Sequence, residues 1–252
     1  MIISEYEQGT IGWHADRAGV ITASMFSTVR AKVGLLTYQQ KMYVDTILRG
    51  GSEADAKLAG EYKSTPTSIS VQKALRGERI GEWSETAKNY AFRLACERIS
   101  GQPLAEQIET FAMRRGKELE EACRQAHEVH LNDLCDLAGF CMTDDRKFGC
   151  SADALVGEDG GGEYKCFYDP TMVRPILIDN NWGTIMDQVQ GCLWITGRKW
   201  WDMCLYIPAL VTVDRHFTRQ RVARDDNYIE QMEMDLMEFD QLVTETEAKL
   251  RR

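Results

Sequence analysis

The feature that most constrains this chain is a change of hydrophobic period near its middle. Up to about residue 131 the apolar positions recur every three or four residues, as on helices. From Leu137 the segment LAGFCMTDDRKFGCSADALVGEDGGGEYKCFYDP instead breaks into short runs separated by turn residues, the pattern of successive strands. Within it, GCSADALVG and GEYKCF flank the acidic, glycine-rich EDGGG, which reads as a β-hairpin. Helices, then a small mixed β-sheet, then helices on its flank make an α/β (α+β) fold.

The flanking elements follow from periodicity and turn chemistry. Residues 13–32 read as a turn and then a helix that Thr22 or Ser24 could cap. Residues 36–50 read as a helix closed by Gly50 and Gly51, and 51–80 as a polar loop-like stretch marked by Gly60, Pro66 and Ser68. A helix is predicted over 84–99 with Tyr90, Leu94 and Ile99 inward. Another, over about 106–131, carries Phe111, Leu119, Cys123, Ala126 and His130 near one face. After the sheet come an amphipathic helix over 184–196 and two strands, in WWDMCLYIP and ALVTVDRHF. A closing helix over about 225–250 is expected to bury Tyr228, Ile229, Met232, Leu236, Phe239 and Leu242. The whole is read as one domain over 1–252.

Composition narrows the classes. With 44% hydrophobic and 27% charged residues the chain can build an ordinary core. It lacks any run approaching the ~18 apolar residues that a membrane span needs. The opening MIISEYEQGTIGWHADR does not read as a signal peptide, so a cytoplasmic protein with no membrane partner is expected. The eight cysteines include no CxxC pair and read as reduced, largely buried thiols; His127 and His130 read as core or surface residues. The net charge of −9 weighs against simple phosphate binding, although basic residues cluster at Arg114, Arg115 and Lys117, and at Arg215, Arg219, Arg221 and Arg224.

The hairpin carries the chemistry. Alternation along a strand puts Glu163 and Lys165 on one face, and the hairpin brings Asp153 onto the neighbouring strand. Two carboxylates beside an ammonium suit a Mg²⁺ site, since this ion takes oxygen ligands and keeps several waters. Phosphodiester hydrolysis uses those groups: a metal activates water, a second ion stabilises the leaving oxygen, and a lysine balances developing charge. The spacing D-x9-E-x-K is weak by itself, because an ordinary surface hairpin can carry the same charges.

Four ordered segments add context: WHADRAGVITAS at 13–24, RGKELE at 115–120, CSADALVGEDGGGEYKC at 150–166 and QVQGCLWITG at 188–197. Together they resemble the PD-(D/E)xK nuclease superfamily, with its restriction-endonuclease-like core, and within it the phage lambda-type alkaline exonucleases of viral recombination. The resemblance implies that Asp153, Glu163, the main-chain carbonyl of Tyr164 and Glu120 bind metal, two Mg²⁺ ions that Mn²⁺ could replace. It makes Lys165 the catalytic lysine and sets Gln188 beside the metals, with Gln190 structural. It assigns Arg17, Ser24 and Ser151 to a terminal 5′-phosphate. Glu120 is chosen over Glu118 and Glu121 only through the Gly116 anchor. Where the superfamily has proline, Ala152 stands, and the chain carries an insertion near 32–85.

The resemblance further implies a 5′-to-3′ exonuclease on linear double-stranded DNA that releases 5′-mononucleotides and leaves 3′ single strands. It implies a toroidal homotrimer acting beside a single-strand annealing protein, in the host bacterial cytoplasm if phage-encoded. A structure-specific or restriction-type endonuclease is the enzyme alternative. A non-catalytic DNA-end-binding protein is the other.

Overall fold

The computed structural model describes residues 1–104, 111–167 and 169–252. It divides the chain into two compact units, one of residues 1–30 and 90–252, the other of residues 31–89. In chain order the strands are β1 (Ile2–Ile3), β2 (Ile21–Thr22), β3 (Lys32–Val33), β4 (Glu82–Trp83), β5 (Phe140–Met142), β6 (Phe148–Ser151), β7 (Ala154–Val156), β8 (Gly160–Lys165), β9 (Trp200–Tyr206) and β10 (Phe217–Ala223). The helices are α1 (Ile11–Arg17), α2 (Phe26–Arg30), α3 (Tyr38–Leu48), α4 (Glu53–Ala59), α5 (Ile69–Leu75), α6 (Glu85–Ser100), α7 (Phe111–Leu131), α8 (Pro170–Asp179), α9 (Met186–Thr196) and α10 (Asp226–Leu250). Short 3₁₀ turns fill Ala23–Met25, Gly183–Ile185 and Pro208–Val213.

The larger unit holds two small mixed sheets, ordered β1-β5-β6-β2 and β10-β9-β8-β7. In the first, β2 runs parallel to β6; in the second, β8 runs parallel to β9 and antiparallel to β7. Helix α9 packs against β5, β6 and β9, and buries Val189, Gln190, Cys192, Leu193 and Ile195. It is more enclosed than an amphipathic surface helix. In α10 the buried stripe is Ile229, Met232, Leu236, Phe239 and Val243, at steps of three and four; Val243 takes the inward place expected of Leu242.

The hairpin turn differs from the sequence reading. Its turn is formed by residues 157–159, with Gly157 at φ +51°, while Gly160, Gly161 and Gly162 belong to strand β8. A Cβ at Gly160 or Gly161 would run into the indole of Trp200 or Trp201, its partners on β9. The glycines are there because two tryptophans cross the strand, not because the chain must turn.

Other expectations are corrected. Thr22 makes no capping hydrogen bond; α1 is capped instead by Thr10, whose side chain accepts from the N–H of Trp13. Ile99 is exposed, whereas Tyr90 and Leu94 are buried. On α7 the inward residues are Cys123 and His127, and His130 faces solvent. The inward placing of the Phe111 side chain, and the start of that helix over 106–110, lie outside what the structure describes. ALVTVDRHF is not a strand: its first part is a 3₁₀ turn, and the strand is Phe217–Ala223. That strand lacks a hydrophobic pattern because none of its positions is buried and Arg219 and Arg221 are turned to a carboxylate on β9.

Those arginines serve one carboxylate. Asp202, on β9, is fully buried and accepts from Arg219 Nη1 at 2.8 Å, from Arg221 Nε at 2.9 Å and from Arg221 Nη2 at 2.8 Å. His127 Nε2 lies 3.0 Å from the same group. Burial alone would raise the Asp202 pKa, but the hydrogen bonds from Arg221, His127 and Arg219 outweigh it and hold the carboxyl below the usual range.

The smaller unit has its own core of Tyr43, Val44, Ala56 and Val71, with Tyr43 edge-on to Tyr62 at 6.1 Å. Residues 51–80, read as loop, contain α4 and α5. Ser52 and Asp55 form a capping box that starts α4 despite the polar composition.

Replacing Asp202 by Ala strands two arginines and a histidine, and is expected to cost about 3–5 kcal/mol in urea unfolding. Because the folded pKa is depressed, the Asp202 contribution is complete above about pH 4–5 and is lost as pH falls through the folded value. The wild-type advantage over Asp202→Ala should therefore shrink only in acid.

Candidate active site

The register Ala154↔Gly162 sets Asp153 at the open end of the β7–β8 hairpin, abreast of Glu163. Asp153 Oδ2 accepts the N–H of Tyr164 at 2.6 Å, which locks the carboxylate to the strand. Glu163 Oε1 accepts from Lys165 Nζ at 2.6 Å and from Gln188 Nε2 at 2.7 Å, and Lys165 Nζ also donates to Gln188 Oε1 at 3.2 Å. Gln188 comes from α9, so the three side chains close a triangle between strand and helix. Gln190, two residues on, bonds Ala223 O and the N–H of Asp225 and so joins the α9 backbone to the start of α10.

Tyr164 points to the opposite face of β8, as alternation requires. Its hydroxyl lies 3.1 Å from His127 Nδ1, and His127 in turn meets Asp202. The buried network beneath the sheet thus fixes the residue whose N–H holds Asp153.

The electrostatics leave a deficit of positive charge. Glu163 Oε2 is buried without a hydrogen-bond partner. Burial, and then repulsion by Glu163 and Glu120, push the Asp153 carboxyl well above its ordinary pKa. Burial and then Glu163 raise the Glu120 carboxyl, against the pull of Lys117 and Lys165. For Lys165, burial works to lower the pKa, but Glu163 and Asp153 outweigh it and the ammonium is raised. Two ammonium groups, Lys165 and Lys117, against three carboxylates, with a carboxylate oxygen left over, fit a hard divalent cation. Asp153, Glu163 and Glu120 are the residues that could hold it. Among the described residues they do not form a closed cage of three ligands, and Mg²⁺ needs only one or two carboxylates with water.

Geometry also separates Glu120 from its rivals on α7. Glu120 lines a cleft of about 590 Å³ with Asp153 and Tyr164. Glu121 reaches the same cleft but is tied to Arg124 at 2.8 Å and to Gln125 at 2.8 Å, and Glu118 is exposed.

A second, smaller cavity of about 130 Å³ adjoins the carboxylates. Arg17, Ser24, Ser151, Asp153 and Gln188 all line it. Arg17 Nη1 donates to Ser151 Oγ at 2.8 Å, and Ser24 Oγ lies 3.3 Å from Thr22 Oγ1. The guanidinium sits 4.2 Å from the Trp13 ring centroid and 5.1 Å from that of Phe140. Among the described residues no carboxylate forms an ion pair with it. Burial lowers its pKa, yet a guanidinium stays charged, so the pocket presents an unneutralised cation with two hydroxyls. Sequence reasoning missed Trp13, Thr22 and Gln8 as lining residues. For Trp13 the signal was available: W-x3-R puts Trp13 and Arg17 four apart on α1, where side chains stack.

The basic clusters part company with DNA binding where partners are visible. Arg219 and Arg221 serve Asp202, and Arg224 bonds Leu193 O at 2.7 Å and Asp226 at 2.7 Å.

Small mixed sheets flanked by helices, with an acidic hairpin ending in E-x-K, define a restriction-endonuclease-like fold. The YqaJ-like viral recombinase domain matches residues 12–199, and the chain belongs to that family. Among solved structures it is similar to an alkaline exonuclease, LHK-Exo, from Laribacter hongkongensis. The identity is 25% and the TM-score 0.65, over 96% of this chain and 97% of that one. The same exonuclease in complex with dAMP gives a TM-score of 0.66 at 25% identity, over 96% and 97% of the two chains. A phage-related exonuclease from Haemophilus somnus shares the fold at 13% identity and a TM-score of 0.59, over 92% and 96%. No curated protein matches the chain. No helix among the described residues is long and apolar enough to cross a membrane.

In chelator, Asp153→Asn should raise Tm at neutral pH, because it removes a carboxylate whose charge is disfavoured in the folded state. Millimolar Mg²⁺ or Mn²⁺ should then raise Tm for the wild type and leave the Asn variant nearly unmoved. A wild type indifferent to both ions by differential scanning fluorimetry would sink the cation assignment.

Proposed function

We propose that this protein is a divalent-metal-dependent exonuclease that degrades linear double-stranded DNA from its 5′ ends. The observation that carries the reading is the sharing of Asp153 and Gln188 between the carboxylate cluster and the Arg17 pocket. Membership of a viral recombinase family and likeness to an alkaline exonuclease support the reaction class.

In this reading Arg17, Ser24 and Ser151 take up the terminal 5′-phosphate. A guanidinium with hydroxyl partners is suited to a phosphate monoester, through charge-assisted hydrogen bonds. The first nucleotide then spans from this pocket to the carboxylates, which sets the next phosphodiester at the site of cleavage. Water adds to phosphorus, the P–O3′ bond breaks, and the departing 3′-oxygen takes up a proton. The products are a 5′-mononucleotide and a strand with a new 5′-phosphate. When bound at Asp153, Glu163 and Glu120, with the Tyr164 carbonyl, Mg²⁺ or Mn²⁺ (two ions) would supply Lewis acidity and a more acidic water. Lys165, held by Glu163 and Gln188, places its ammonium where charge grows on the phosphoryl oxygens. Gln188 keeps both partners in register.

The reading extends, on family resemblance alone, to a ring-shaped homotrimer that leaves 3′ single strands for an annealing protein. An endonuclease with the same core has no use for a terminal-phosphate pocket.

Lys165→Ala should lower kcat at least about 100-fold while leaving affinity for duplex ends within a few-fold, by single-turnover digestion and by anisotropy. Linear duplex with 5′-phosphate ends should be degraded faster than the same duplex with 5′-hydroxyl ends, and closed circles should survive. Arg17→Ala should raise KM roughly 10- to 150-fold on phosphorylated ends and erase their advantage. Equal cutting of circles and linear DNA would instead favour the endonuclease.

A further inference from the structure

The cleft that holds Glu120 and Asp153 has an aromatic side chain that catalysis at those carboxylates does not use. Tyr6 lines it and is 54% exposed, although it is anchored on both sides by backbone. A Cβ at Gly12 would come within 2.4–2.6 Å of Tyr6 ring carbons, so the ring lies directly on the backbone of α1. A Cβ at Gly139 would strike Ser4 O, and the N–H of Ser4 donates to Phe140 O at 2.8 Å. The N–H of Tyr6 donates to Ser4 Oγ at 3.2 Å. The residue is therefore pinned along a sheet edge and a helix, with the rest of the ring open to the cleft.

We propose that Tyr6 is a stacking platform for a nucleobase flanking the scissile phosphate, a base subsite distinct from the metal and phosphate groups. This rests on the nuclease reading above.

Two further observations favour a base as the occupant. First, the cleft wall is acidic in balance: Glu5, Glu7 and Glu121 join the two site carboxylates against Lys117 and Arg124, and Arg124 is already committed to Glu121 and Glu128. A nucleotide held there gains little from charge, whereas a π-face binds any base without regard to sequence, as a general exonuclease requires. Second, Gln8 lines both this cleft and the Arg17 pocket. The short segment 6–8 therefore runs from the phosphate seat to the Tyr6 ring, and a strand bound at its 5′-phosphate would bring its first bases past that ring.

The test compares Tyr6→Ala, Tyr6→Trp and Tyr6→Leu in steady-state digestion of 5′-phosphorylated duplex. The same measurement is repeated on duplexes with an abasic site at the first or second nucleotide. Tyr6→Ala should raise KM about 5- to 100-fold on intact ends with little change in kcat, Trp should restore it, and Leu should not. An abasic site at one of the two positions should abolish the difference between wild type and Tyr6→Ala. A 2-aminopurine at that position should be quenched on binding to Lys165→Ala protein and not when Tyr6→Ala is added. The inference is overturned if Tyr6→Ala matches wild type on intact ends, if Leu rescues as well as Trp, or if both abasic substrates keep the difference. Failure of the unsubstituted protein to degrade intact duplex would instead overturn the nuclease reading.

Discussion

Strand β8 must show opposite chemistries on its two faces, and the rest of the larger unit is arranged around that demand. Outward, Glu163 and Lys165 stand beside Asp153; inward, Tyr164 reaches the buried His127–Asp202 network. The two carboxylates are treated unequally. Asp202 has every oxygen satisfied by Arg219, Arg221 and His127, so its burial costs little beyond desolvation already offset. Glu163 is nearly as buried but keeps one oxygen without a partner. An unpaired charged oxygen is among the costlier things a fold can retain, and such groups concentrate at functional sites. The inner face is therefore over-determined, and it can hold an outer face that is short of one cation.

The same economy of charge explains how an acidic chain can be reconciled with a polyanionic substrate. The arginines that sequence alone would offer to DNA are partly engaged in the fold: Arg219 and Arg221 at Asp202, and Arg224 at a helix carbonyl. Arg17 is different, because it is walled by Trp13 and Phe140 and, among the described residues, no carboxylate forms an ion pair with it. Stacking on aromatic faces lets a guanidinium be buried without neutralisation. One such cation in a small pocket can bind a phosphate monoester more selectively than a broad basic surface, which would hold any stretch of duplex.

What the sequence disclosed and what it hid divide along a physical line. Local alternation was legible: Glu163 and Lys165 share a face because a strand has period two, and the stripe of α10 follows from helical period with one residue exchanged at its end. Interactions between distant segments were not. Gly160–Gly162 read as a turn because nothing local says that Trp200 and Trp201 cross them. Strand β10 escaped notice because none of its residues is buried and its arginines serve a carboxylate on β9, so the hydrophobic pattern that marks a half-buried strand is absent. The polar stretch over 51–80 hid two helices because capping at Ser52 and Ser68 decides them more than amphipathicity does. At the site, alternation along the hairpin brought Asp153, Glu163 and Lys165 together, and Glu120 and Arg17 came only through the family resemblance; Gln8 and Tyr6 have no local signal, and only close approaches at Gly12 and Gly139 place that segment.

The adjoining of the phosphate pocket and the carboxylates carries a consequence for repeated cutting. In the proposed reaction the P–O3′ bond breaks, so phosphate stays on the shortened strand. Each turnover thus creates the very end group that Arg17, Ser24 and Ser151 are suited to hold. In that reaction Asp153, which lines both cavities, and Gln188, which lines the Arg17 pocket and donates to Glu163, would fix the interval between one end and the next scissile bond. A pocket for a terminal phosphate, a fixed interval and a product that renews the terminal phosphate together favour removal of one nucleotide at a time. The internal cuts of an endonuclease would use none of the three. In the proposed reading the acidic cleft would work the same way: with a cation bound it would draw in the scissile phosphate, and without one it would repel DNA. Substrate affinity and metal occupancy are then linked through the same carboxylates, Asp153, Glu163 and Glu120.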